Sequence, residues 1–244
     1  MKKKRKKRYQ FKKKFIKMIE RRTVREVMHF YQKEANDMVL DLPPLTETDK
    51  LFVLSDNVND PCLNRNRQIR EHQMTEGYFF NAIHLLEIIE IAKSNAIRDG
   101  YIYPALFSFR HCLELIMKDT LNIRADKGIV SELVTKKIHN LYEIWCKFKE
   151  HVSYDNEKDI MEQLMRELSD MDPMSFNFRY PYDVKGNTIK LLLTDEKSFD
   201  IVEASLDSED KFLLPFLIDV EKLKNTMLKM YRYLEGVNEE VYNS

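Results

Sequence analysis

Glycine is scarce in this chain, five in 244 residues. That leaves little material for a loop that cradles phosphate, and none of the patterns GxxxxGK[ST], GxGxxG or GxSxG occurs. Kinase, NTPase and Rossmann chemistry are therefore argued against. Cysteine is equally sparse: Cys62, Cys112 and Cys146 are odd in number, widely spaced, and two of them sit in apolar helical patterns. They read as reduced thiols rather than a disulfide framework. The six histidines are scattered, with no CxxC, HExxH or HxxxH arrangement to converge on zinc, so neither a metal nor a cofactor is expected. No run approaches the roughly 18 uncharged apolar residues of a membrane span, and the N-terminal lysines are not followed by a signal-like apolar stretch. A soluble cytoplasmic protein is the expectation.

What the chain does have is apolar residues, 43% of the total, enough for a sizeable core in one large domain or a core domain with appendages. It also has charge, distributed unevenly. Residues 1–26 carry 14 Lys or Arg against Glu20 and Glu26, so a net charge of zero divides into +12 there and −12 in the remainder. Such a block neutralises phosphates and releases their condensed counterions, which makes Lys3, Lys4, Arg5, Lys6, Lys7, Arg8, Lys12 and Lys13 candidate nucleic-acid contacts. The competing readings are a solvated tail, a tail docked on the acidic body, and a segment lying on a membrane surface.

Periodicity divides the chain into three parts. Residues 1–40 read as a basic amphipathic arm, with Phe11, Phe15, Met18, Ile19 and Val27 near one helical face. Pro43 and Pro44 break it, and residues 41–73 form a polar connector rich in turn-forming residues. Residues 74–244 read as a mainly α helical bundle with a small β or loop insertion at about 174–215. Its first helix is expected from an N-cap at Thr75 to Gly100, with Phe79, Ala82, Ile83, Leu86 and Ile89 inward. The second opens at Pro104, where a missing amide costs nothing, and runs about 20 residues. A third follows His139 and Asn140, either of which can cap it, with Leu141, Ile144, Trp145 and Phe148 at helical spacing. The fourth has Ile160, Leu164 and Leu168 in its stripe; TIKLLL at 188–193 reads as a short strand, and the last helix spans about Asp219 to Tyr242.

The second helix contains FSFRHCLELIMK, an apolar segment bearing four charged or titratable groups. Leu106, Phe109, Leu113, Ile116 and Met117 define its core face. Arg110, Glu114 and Lys118 are four apart and lie in one stripe, a relay of alternating charge. His111 stands next to Arg110. The stripe reads either as a working site or as an i, i+4 ladder bracing the bundle.

RHCLELIMK, followed about twenty residues on by IHNLYEIW, resembles the second and third helices of the HEPN superfamily of α-helical bundles. FNFRYPYD (176–183) is similar to a segment that follows this bundle in some bacterial proteins of the kind, and the resemblance covers about residues 75–185. It implies an RNA-directed, homodimeric protein in a toxin or phage-defence system, with an antitoxin or defence-complex partner, and metal-independent ribonuclease activity. In that superfamily the activity rests on an arginine and a histidine with four to six residues between them. Counted from Arg110, this chain has Leu115, Ile116 and Met117 where the histidine would stand. Arg65 and Arg67 do stand at accepted distances from His72, a spacing that chance alone supplies about once in a chain of this composition.

Metal-free RNA cleavage needs proton transfer at the 2′-hydroxyl and leaving oxygen, and stabilisation of the phosphorane charge. Histidine and arginine supply those chemistries. Arg110, His111, Glu114 and Arg179 are therefore the candidate catalytic set, meeting at a cleft between protomers, with Lys118, His139 and Asp183 as further candidates. The alternative is a non-catalytic module binding RNA, a nucleotide or a protein, with these residues forming a structural network and Arg179 paired to Glu114 or Asp183.

Overall fold

The computed structural model describes residues 46, 49, 51, 61–63, 66–128, 138–152, 156–181 and 217–243. The chain divides into two compact units, Met1–Asn66 and Arg67–Ser244. In the first, the described residues include one turn: the Thr46 amide and hydroxyl lie 2.6 and 3.2 Å from Asp49 Oδ2, and the Asp49 amide returns to the Thr46 carbonyl. The basic arm and TIKLLL lie outside the described residues.

The second unit is built from five helices: α1 (Arg67–Ile91), α2 (Asn95–Asp126), α3 (Leu141–Lys149), α4 (Asn156–Met171) and α5 (Val220–Asn243). Helices make up 77% of the described residues, which include no strand, so the molecule is mainly helical as its periodicity implies. The helix α2 is central: it packs along α1 and also meets α3 and α5, while α4 reaches the bundle through α3. Its five expected core residues are all buried, and so are Cys112, Thr120 and Leu121. A helix surrounded on several sides must bury groups outside its apolar stripe, and that burial decides the fate of its charges.

Three boundaries differ from the sequence expectation. The first helix begins at Arg67, so Thr75 is interior, and its hydroxyl donates to the Glu71 carbonyl rather than capping. The break between the first two helices falls at 92–94, where Ser94 caps α2 by accepting from the Ala96 amide at 3.2 Å. The helix then runs straight through Gly100 and Pro104. A proline ring clashes with the carbonyl four residues back, and here that residue is glycine, whose backbone has the most latitude to yield. In α4 the buried positions are Met161, Met165 and Ser169, with Leu164 and Leu168 half-buried, so the stripe is turned and Ile160 is exposed. Asn140 caps α3 through its side-chain oxygen, 2.9 Å from the Glu143 amide.

The core joins α1, α2 and α5 through Phe79 stacked on Tyr231 at 3.7 Å between ring centroids, and joins α2 to α3 through fully buried Trp145 and Phe148. Polar ties cross the same seams: Asn81 donates to Ser108, and Tyr231 bonds Glu76. The three cysteines are free; Cys62 is exposed and Cys112 buried. No helix among the described residues is long and apolar enough to cross a membrane.

Candidate functional site

The Arg110 guanidinium has no exposed surface. Its Nε donates to the Asp172 carbonyl at 2.9 Å, Nη1 to Glu114 Oε2 at 3.0 Å, and Nη2 to the carbonyls of His139 and, at 3.4 Å, Pro173. Four of the five N–H groups that an arginine carries are thus used inside the protein. Asp172 Oδ2 lies 3.5 Å from Nε as an ion-pair contact without a hydrogen bond of its own, because the Nε hydrogen goes to the carbonyl. This one side chain ties the middle of α2 to the residue preceding the α3 cap and to the chain leaving α4. It would have to surrender those bonds to touch a phosphate.

Glu114 is nearly as buried, 2% exposed, and it collects cations. Besides Arg110, its carboxylate meets Lys118 Nζ at 2.8 Å and His139 Nδ1 at 2.9 Å. Burial pushes the carboxyl pKa up, but the hydrogen bond and charge of Lys118, the His139 bond and the Arg110 charge together outweigh it. The net result is a pKa below the ordinary value and a carboxylate ionised at neutral pH. The relay expected of Arg110, Glu114 and Lys118 is present, and His139 joins it from outside the helix.

His111, one residue on from Arg110, faces another environment. Its ring stacks on Phe107 at 5.7 Å and meets Tyr78 of α1 edge-on at 4.5 Å. Burial lowers its pKa; Glu114 acts in the opposite sense, and the positive charges of Arg110, Lys118 and Arg179 add to the lowering. A neutral imidazole in an aromatic corner follows.

Arg179 approaches the same corner from a loop. Asp172 Oδ1 accepts from the amides of Phe176 and Asn177 at 2.7 and 2.9 Å, Asn177 donates to the Met171 carbonyl, and Ser175 adopts φ +62°. A left-handed serine costs on the order of 1 kcal/mol, which the surrounding bonds offset. From this turn the Arg179 guanidinium lies 5.3 Å from the Phe107 ring, 5.2 Å from Phe176 and 5.4 Å from Tyr180, with Nε donating to the Ser175 carbonyl. Arg179, Phe176 and Tyr180 are exposed. Arg110 and Arg179 are therefore linked through Asp172 but serve different surroundings.

The structure thus gathers Glu114, Lys118 and His139 around one carboxylate, and His111 and Arg179 around one aromatic corner. Phe107, Glu114 and Lys118 lie along a single stripe of α2 about 16 Å long. His72 is exposed on α1 beside Glu76, Glu235 and Glu239, a setting that repels a polyanion. Arg65, Asp183 and the arm residues Lys3, Lys4, Arg5, Lys6, Lys7, Arg8, Lys12 and Lys13 lie outside the described residues. Sequence reasoning passed over Tyr78, Phe107, Asp172, Phe176 and Tyr180. The run FNFRY, an arginine among aromatics, was the available signal for two of them.

An apolar hollow of about 320 Å³ between α2, α4 and α5 is lined mainly by Leu106, Phe109, Leu168, Met171, Met227 and Met230, and has no part in this arrangement. Among the described residues no group of three His, Cys, Asp or Glu is placed to hold a metal ion. Comparison with protein-family models, curated proteins and solved structures yields no match.

Proposed function

We propose that this chain is an RNA-directed, HEPN-like helical-bundle protein that receives single-stranded RNA on the outer face of α2. The observation that carries the reading is Arg179: an exposed guanidinium surrounded by three rings, two of them exposed, with His111 beside them. Flat rings accept an unpaired base by stacking, whatever its sequence, and an adjacent cation supports both the stack and the backbone phosphate. Buried Arg110 belongs to the frame in this reading, because its bonds are spent on carbonyls and carboxylates. The basic arm adds salt-dependent backbone affinity. A homodimer and a toxin or phage-defence setting enter the proposal through the family resemblance.

Fluorescence anisotropy with a short unstructured RNA tests this. Arg179→Ala and Tyr180→Ala should each weaken binding by about tenfold, as expected for loss of a stacking partner. Unchanged affinity in both variants removes the site from the proposal. Failure of the full chain to bind any RNA at low salt removes the function.

A further inference from the structure

We infer that His139 is the proton-transfer residue of this surface, held in place by Glu114, and that RNA bound there is cut by its own 2′-hydroxyl. The inference rests on the RNA-directed reading.

An ionised carboxylate 2% exposed holds one nitrogen of a half-exposed imidazole: Glu114 Oε1 lies 2.9 Å from His139 Nδ1. A carboxylate on Nδ1 places the hydrogen there, which leaves Nε2 as the basic nitrogen on the far side of the ring. The main chain beneath the ring is fixed as well. Arg110 Nη2 bonds the His139 carbonyl, and the next residue, Asn140, caps α3. Ring direction, tautomer and backbone are thus set by three separate contacts, as a general base requires. His111 lacks this arrangement, since aromatic rings crowd it and burial disfavours its protonated form.

The surrounding charge is compatible with a phosphate. Arg110 and Lys118 balance Glu114 and Asp172, so the buried cluster does not repel a polyanion, and Lys118 Nζ lies on the same carboxylate oxygen as His139. In the reaction Nε2 takes the proton of a ribose 2′-hydroxyl, whose oxygen forms a bond to the adjacent phosphorus. The bond from phosphorus to the 5′-oxygen breaks, that oxygen takes a proton from water, and the resulting hydroxide takes the proton back from His139. The products are a 2′,3′-cyclic phosphate and a 5′-hydroxyl end.

The test uses the full chain in excess EDTA with a labelled oligonucleotide carrying one ribonucleotide in an otherwise 2′-deoxy strand, and an all-RNA version for affinity. Cleavage should occur only after the ribonucleotide. His139→Ala, prepared identically, should slow it by at least about 100-fold while RNA affinity stays within about threefold. Glu114→Gln tests positioning: nitrogen NMR shifts of the His139 ring should show the hydrogen moving off Nδ1, a change that loss of packing alone would not produce. Binding without cleavage by the unaltered chain overturns the role of His139 and leaves the RNA reading standing, as does cleavage by His139→Ala at the unaltered rate. Absence of binding overturns the RNA reading itself and this inference with it.

Discussion

Arg110 and His111 are neighbours in sequence, yet they stand in different parts of the molecule. Adjacent helical positions diverge by about 100°, so one points into the junction of α2, α3 and the chain after α4, and the other into an aromatic corner against α1. The junction is closed, with its charges paired and its donors consumed. The corner and the flank beside it are open, with Arg179, Tyr180 and His139 at the surface. The difference teaches that charge in an apolar helix is no measure of function by itself. What matters is whether the group retains a bond to give.

The contrast can be broken most forcefully at Arg110. Arg110→Ala should cost about 3–5 kcal/mol, since it leaves Glu114 and Asp172 buried without their shared cation. Urea denaturation followed by circular dichroism measures this; a loss below about 1 kcal/mol would mean that the junction is not a brace. Asp172→Ala should cost about 1–3 kcal/mol by stripping the Phe176 and Asn177 amides of their acceptor. It should also weaken RNA binding through displacement of Arg179, and intact binding in a folded variant would separate the loop from the junction.

Acid should sharpen the comparison by striking both regions in different windows. His111 has a folded pKa below its ordinary value of 6.5, so the unfolded chain binds the extra proton first and stability falls as pH drops from about 6.5 through the lower folded value. Glu114 likewise has a folded pKa below 4.5, and its contribution, present above that value, is lost as pH falls through the folded one. His111→Phe should remove the upper window and keep the lower. Melting temperatures from pH 7 to 3 read both, and an upper window that persists in His111→Phe assigns it elsewhere. The smallest stability effect belongs to the open side: Arg179→Ala should change unfolding free energy by no more than about 0.5 kcal/mol. A larger loss would make Arg179 a second brace.

Much of the helical frame was legible from spacing. Leu106, Phe109, Leu113, Ile116 and Met117 form the buried stripe that their period implies, and Asn140 caps a helix as a short polar side chain before an apolar run should. The first helix break was misplaced because Gly100 and Pro104 each oppose a helix locally, whereas packing of α2 against its neighbours carries the helix through both. The rotated face of α4 was missed for a related reason: with Ile160 beside Met161, the sequence offers two adjacent stripes, and only contact with α3 selects between them.

By itself the sequence determined the mainly helical class, the relay of Arg110, Glu114 and Lys118, and the reduced state expected of three scattered cysteines. These follow from short-range periodicity and composition, which depend on nothing distant in the chain. Only the tertiary structure decided that Arg110 is enclosed by carbonyls 29, 62 and 63 residues away, that His139 reaches Glu114, and that Arg179 reaches Phe107. The solvation and partners of a charged group are set by segments far along the chain, and helical spacing carries no record of which of them will arrive.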